Sequence, residues 1–318
     1  MRFGEKNMNQ PESGPLAYWK SLQEPSPLDP ELATRRMKEV KTIFDRLGVT
    51  FWLGSGTCLG AVREGTFIPW DDETDTASVI GLHGLTEERF DEVVSEFESA
   101  GFYVHVGKNS RWNSMAIVKD GLRTDWTVHH IVDGVAWEFP GVRLPLDLFR
   151  DLKTITFVGE EFYIPGQTEE YLSRKYGTDW RTPKGPGFEA DVINNIPDGS
   201  ILNLKMKLKK LLIKRTMPSR VVSIRVFDRQ GAPVHLAGIK VVGVDTANTD
   251  SSGYAMVYVP DKACYAVDVA FEGHHEILYE EILSPGGRYE YRPGPVVTAE
   301  EHYKAGVRAL ALTQESET

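Results

Sequence analysis

All seven tryptophans of this 318-residue chain fall between Trp19 and Trp180, and none follows. A chain whose largest apolar side chains stop near its midpoint is expected to build two separate cores. Between them, residues 182–187 (Thr-Pro-Lys-Gly-Pro-Gly) and 194–199 (Asn-Asn-Ile-Pro-Asp-Gly) concentrate residues that interrupt regular structure. The expected division is an N-terminal extension over 1–27, a first domain over 28–190, a linker over 191–219, a second domain over 220–293, and a C-terminal helix and tail over 294–318.

In the first domain, Asp29 is a natural N-cap, with Pro30 at the first helical position. Leu32, Met37, Val40, Ile43, Phe44 and Leu47 then recur at helical spacing as far as Gly48, a stop signal. A strand is expected over 49–53, a Gly-rich loop over 54–60, a strand from 71, and a helix over 86–100 ended by Gly101. Short strands follow over 102–107, 113–119, 122–129 and 153–158. The pattern is α+β, with a small mixed sheet flanked by helices.

Residues 201–215 place Ile201, Leu204, Leu208, Leu211 and Leu212 on one helical face and six Lys or Arg residues over much of the rest. Such a basic amphipathic helix suits peripheral contact with an anionic membrane, or packing on its own domain or a partner. From Val221 the pattern becomes short alternating segments near 222–227, 239–244, 254–259 and 265–271. Turn signals at 228–231, 249–253 and 272–273 separate them, which predicts a small all-β sandwich. The order of these strands and turns resembles carboxypeptidase-regulatory-like or transthyretin-like domains. One more helix is expected over 298–312.

The net charge of −10 disfavours broad attraction to nucleic acid. Cys58 and Cys264 are the only cysteines, so neither a disulfide framework nor a cysteine zinc site is expected. The adjacent pairs His129–His130 and His274–His275 point to opposite strand faces and suit structural roles. The first residues are polar and no apolar run reaches the ~18 residues needed to cross a bilayer. A cytoplasmic location is therefore the default expectation, with peripheral attachment at the inner face of the membrane through 201–215.

The chemistry is concentrated upstream. Asp71, Asp72, Glu73 and Asp75 put four carboxylates into five positions directly after an apolar turn. Two like charges ~4 Å apart repel by roughly 4 kcal/mol at the effective dielectric of a protein surface, so the cluster calls for a cation. Oxygen-only ligands favour Mg2+, with Mn2+ as an alternative. In a strand running from 71, Asp71, Glu73 and Asp75 share one face and Asp72 takes the other. Upstream, Gly54, Gly56 and Gly60 allow close backbone approach, while Ser55 and Thr57 add hydroxyls, the composition of a phosphate-holding loop. Arg63 is suited to bidentate phosphate contact, or to an ion pair with Glu64 or Asp72.

Residues 52–75, Trp-Leu-Gly-Ser-Gly-Thr-Cys-Leu-Gly-Ala-Val-Arg-Glu-Gly-Thr-Phe-Ile-Pro-Trp-Asp-Asp-Glu-Thr-Asp, resemble the signature of the LicD and fukutin-related family. Its Gly-Thr-Leu-Leu-Gly core, Arg and Ile-Pro-Trp-Asp-Asp-Asp-x-Asp run match without a gap. Residues 122–128 and 155–183 resemble later segments of that family. Glu73 stands where the family has Asp, Thr74 replaces a common apolar residue, and Cys58 replaces a common Leu. The resemblance implies a nucleotidyltransferase fold and transfer of a phospho-alcohol, phosphocholine or an alditol phosphate, from a CDP-linked donor to a glycan hydroxyl or lipid-linked sugar. It further implies Glu73, Asp75 and Asp125 as metal ligands, Asp71 assisting, Asp125 alternatively as base, and Gly56, Thr57 and Arg63 toward phosphate. Two other readings stay open: a catalytically inactive carbohydrate-associated binding protein, and a nucleotidyltransferase using CTP.

Overall fold

The computed structural model describes residues 14–23, 26–185, 192–194, 196, 212, 214–294, 307–308 and 312–314. The chain separates into two compact units, residues 1–136 with 145–168, and residues 137–144 with 169–318. The second unit thus recruits a short segment from within the first stretch of sequence.

The first unit contains α1 (Pro15–Gln23), α2 (Pro30–Leu47), β1 (Trp52–Leu53), α3 (Ser55–Arg63), β2 (Glu73–Val79), α4 (Glu87–Ser99), β3 (Tyr103–Lys108), β4 (Trp112–Lys119) and β5 (Leu122–His129). Along the chain come β6 (Ile131–Val132), then β7 (Val135–Glu138) and β8 (Val142–Pro145), which carry the 137–144 segment of the second unit, then α5 (Asp147–Arg150) and the hairpin of β9 (Lys153–Phe157) and β10 (Glu160–Ile164) back in the first unit. The caps behave as their chemistry requires. Asp29 Oδ1 accepts from the N–H groups of Glu31 and Leu32 at 2.8 and 2.9 Å, Pro30 opens α2, and Gly48 closes it at φ +63°. Thr86 caps α4 by accepting from the Arg89 N–H.

The central sheet has the order β1-β2-β5-β4-β3, with β2 and β5 parallel and every other pair antiparallel. Strand alternation gives it two chemically different faces. On one, Trp126 is fully buried, stacks on Phe90 at 5.3 Å and meets Phe44 edge-on at 4.9 Å, which binds α2 and α4 to the sheet. On the same face Trp126 Nε1 donates to Ser78 Oγ at 2.9 Å, and the Thr74 and Thr124 hydroxyls meet at 2.7 Å. The residues between these, Glu73, Asp75, Arg123 and Asp125, necessarily face the other way.

The second unit contains α6 (Thr168–Tyr176), then β11 (Val221–Val226), β12 (Gly238–Val241), β13 (Asp245–Asn248), β14 (Tyr254–Tyr258), β15 (Ala263–Phe271), β16 (His274–Leu283), β17 (Arg288–Tyr291), β18 (Val307–Arg308) and β19 (Thr313–Gln314). Two sheets, β14-β11-β17-β19 and β13-β12-β15-β16-β18, enclose a core that includes Val222, Ile224, Val257, Tyr265 and Tyr291. This is the expected all-β sandwich. Its turns are held by aspartates: Asp228 Oδ1 accepts from the N–H groups of Gln230 and Ala232, and Asp250 Oδ1 from those of Ser252 and Tyr254.

Most of the helix expected over 201–215 lies outside the described residues. At its described end, Lys214 Nζ lies 2.7 Å from buried Asp245, a packing contact. The helix expected over 298–312 is corrected at its described positions, because Val307–Arg308 pairs in parallel with β16. The strand expected over 49–53 shortens to Trp52–Leu53.

Trp126 carries both an aromatic cluster and a buried hydrogen bond. Trp126→Ala is expected to cost about 3–5 kcal/mol of folding stability, read from the shift of the urea unfolding midpoint at constant slope.

Candidate active site

The site grows from the junction of β1, α3 and β2. Residues 54–60 were expected as a loop but form the first two turns of α3, with Gly54 as the cap residue. Ser55 enters that helix at φ +35°, backbone conformation that a non-glycine residue rarely adopts. The first turn of α3 then fixes Asp75 through three hydrogen bonds. The Gly54 N–H donates to the Asp75 carbonyl at 3.0 Å, the Asp75 N–H donates to Thr57 Oγ1 at 2.8 Å, and the Gly56 N–H donates to Asp75 Oδ2 at 3.0 Å.

Gly56 has a second neighbour. A Cβ built there would lie 2.6 Å from Asp71 Oδ2, so the absence of a side chain is what lets Asp71 approach the backbone beside Asp75. Burial pushes the Asp71 carboxyl well above its ordinary range, and the neighbouring charges of Asp75 and Asp72 push the same way.

Parallel register sets Asp75 directly beside Asp125, and Glu73 beside Arg123. Antiparallel pairing continues the row from Asp125 through Ala116 to His105, whose ring stacks on Tyr18 of α1 at 4.3 Å. The Asp125 carboxyl is raised by burial, with Arg123 and His105 pulling in the opposite direction. Its Oδ1 is buried and has no hydrogen-bond partner among the described residues.

Arg123 is the residue whose importance local sequence conceals. Its guanidinium contacts Glu73, lies 3.5 Å from Asp125 Oδ2 and 3.9 Å from Asp72 Oδ2, and its side chain is 11 % exposed. Two expectations change as a result. Asp72 does not turn away, because β2 begins only at Glu73 and the alternation does not extend back to it. Glu73 is turned onto Arg123, so Glu73, Asp75 and Asp125 do not converge, and among the described residues no three His, Cys, Asp or Glu side chains form a ready cation cage.

Gly56, Thr57 and Arg63, expected toward phosphate, each have partners within the protein. The Gly56 N–H and the Thr57 hydroxyl are engaged with Asp75. Arg63, at the far end of α3, pairs with Glu64 through Nε at 3.0 Å and Nη2 at 2.5 Å. Gly56 and Thr57 thus help to hold Asp75 in place.

Whether a hard cation fits is decided by donor chemistry. Asp75 and Asp125 supply oxygen only, stand side by side on one face, and include a buried oxygen lacking a hydrogen-bond partner. That suits Mg2+ or Mn2+, which take one or two protein carboxylates and complete their shell with water and ligand oxygens.

This unit presents a mixed sheet with acidic residues on adjacent strands, abutting the start of a helix. Residues 48–167 match the family model described as LicD/FKTN/FKRP, nucleotidyltransferase domain. The chain is 27 % identical over 149 residues to human ribitol-5-phosphate transferase FKTN, covering 44 % of this chain and 31 % of the relative. It is 24 % identical over 169 residues to mouse ribitol 5-phosphate transferase FKRP, covering 46 % and 32 %. The chain therefore spans about a third of the length of these relatives. Among solved structures, the Bradyrhizobium diazoefficiens CD-NTase CdnG in complex with GTP is 21 % identical over 58 % of this chain and 52 % of that one, with a TM-score of 0.25.

The raised Asp71 carboxyl has a definite sign. A carboxyl whose folded value exceeds its unfolded one contributes stability that is present below the ordinary carboxylate range and is lost as pH rises through the folded value. Asp71→Asn should therefore raise the thermal midpoint of metal-free protein at neutral pH, with the gain shrinking to nothing near pH ~3 in a series of melts.

Proposed function

We propose that this chain is a phosphotransferase that moves a phospho-alcohol, such as ribitol phosphate or phosphocholine, from a CDP-linked donor to a hydroxyl of a glycan or lipid-linked sugar. The observation that carries this reading is the in-register pair Asp75 and Asp125, with Asp75 clamped by the start of α3. The similarity to proteins named ribitol-5-phosphate transferases supports the substrate class.

Asp75 and Asp125 are the residues that hold Mg2+ or Mn2+ in this reading. The bound cation would supply charge stabilisation at the phosphoryl oxygens. The chain's own groups do the rest. An acceptor hydroxyl oxygen forms a bond to the phosphorus that carries the alcohol. The bond from that phosphorus to the oxygen bridging to CMP breaks, and CMP leaves with the electron pair. The hydroxyl proton passes to Asp71, whose affinity for protons is raised, first by burial. The clamp on Asp75 keeps the charged face preorganised, which is where most of the catalytic benefit arises in reactions of this kind.

Peripheral membrane contact through residues 201–215, and with it attachment at the inner face of a membrane, is proposed from the composition of that segment. No described helix is long and apolar enough to cross a membrane.

Turnover of CTP, CDP-choline, CDP-ribitol and CDP-glycerol, each with a glycan acceptor, tests the assignment. Product from at least one CDP-alcohol is expected, and Asp75→Asn should lower its kcat/KM by about three orders of magnitude, the several kcal/mol a metal-linked carboxylate supplies. Undiminished turnover by Asp75→Asn would remove Asp75 from the chemistry. Turnover of CTP alone would establish nucleotidyl transfer, and no turnover of any donor would favour a binding protein.

A further inference from the structure

Five carboxylates, Asp71, Asp72, Glu73, Asp75 and Asp125, gather at one end of β2 and β5, and Arg123 is the cation set among three of them. Its guanidinium touches Glu73 and lies 3.5 Å from Asp125 and 3.9 Å from Asp72. It is also the residue in direct register with Glu73, two pairs before Asp75 and Asp125 on the same sheet face. A planar guanidinium presents a fork of N–H donors that matches a carboxylate or a phosphate equally well. The same group can therefore exchange one kind of partner for the other.

We infer that Arg123 is a placeholder cation, which neutralises Glu73 and Asp125 in the ligand-free site and transfers to the donor's diphosphate when donor and divalent metal enter together. This rests on the phosphotransferase reading and adds a coupling to it. While Arg123 holds Glu73 and Asp125, its positive charge opposes a second cation, so metal binds weakly alone. When the diphosphate arrives, Arg123 gains phosphate oxygens as partners, and Glu73 and Asp125 are released toward the metal. Metal and nucleotide then each strengthen the binding of the other, as linkage requires. Arg123 acts here as a positioning residue for the carboxylates as well as a contact for the donor.

The test is Mn2+ binding to the full chain, followed by electron paramagnetic resonance, with and without CDP as the nucleotide probe. Arg123→Gln removes the charge and is expected to strengthen Mn2+ binding without CDP about tenfold or more. The same variant should weaken CDP binding and shrink the metal–nucleotide coupling. Arg123→Lys keeps the charge, and its Mn2+ affinity without CDP should stay within about threefold of the parent. In the parent protein, CDP should tighten Mn2+ binding beyond the affinity of Mn2+ for CDP in buffer, a readout that needs no variant. Weaker or unchanged Mn2+ binding in Arg123→Gln, an equal rise in Arg123→Lys, or no excess coupling in the parent overturns the placeholder role. If CDP with Mn2+ binds the parent but the Arg123 variants leave metal affinity unmoved, only the placeholder role falls. If CDP with Mn2+ does not bind at all, the phosphotransferase reading falls with it.

Discussion

The three hydrogen bonds between the start of α3 and Asp75 are the constraint on which the site depends. They use both backbone groups and one carboxylate oxygen of a single residue, and their partners lie within four positions, Gly54, Gly56 and Thr57. Because Gly56 leaves room for Asp71, the same turn draws a second carboxylate against the first. Burying carboxylates in this way is unfavourable by itself: burial raises the carboxyls of Asp71 and Asp125, and the charges of Asp75 and Asp72 add to it at Asp71. The fold sustains it because the opposite sheet face is an aromatic and hydroxyl-bonded core built on Trp126, Ser78, Thr74 and Thr124. Rigid backing on one face permits electrostatic strain on the other.

Much of the first unit was legible locally. Asp29, Pro30 and Gly48 bounded α2 correctly because capping chemistry acts over three or four residues, and the alternation of 122–129 located β5 to the residue. The start of α3 was misjudged as a loop, since three glycines in seven residues argue against helix until tertiary bonds to β2 supply the missing stability. In the second unit, β11, β12, β14 and β15 followed their alternation, whereas β16 and β17 were not anticipated. The tail strand β18 also depends on pairing with a distant partner.

The site divides along the same line. The acidic cluster and Asp125 were visible as residues, but their relation was not. Asp75 and Asp125 meet only because β2 and β5 pair in parallel, a register set 50 positions apart in the chain. That register also brings Arg123 to Glu73, which local sequence presented as a free ligand. Asp72 was assigned to the wrong face for a smaller reason: the strand begins two residues later than the acidic run does.

We propose Asp75 and Asp125 together as a cation site serving a nucleotide-linked donor. Anomalous diffraction from crystals of the full chain grown with Mn2+ and CDP measures it directly. One Mn2+ within about 2.0–2.3 Å of carboxylate oxygens from both Asp75 and Asp125, sharing an oxygen with the CDP diphosphate, is the expected result. Nucleotide bound elsewhere, or Mn2+ seated away from the β2–β5 pair, would contradict it.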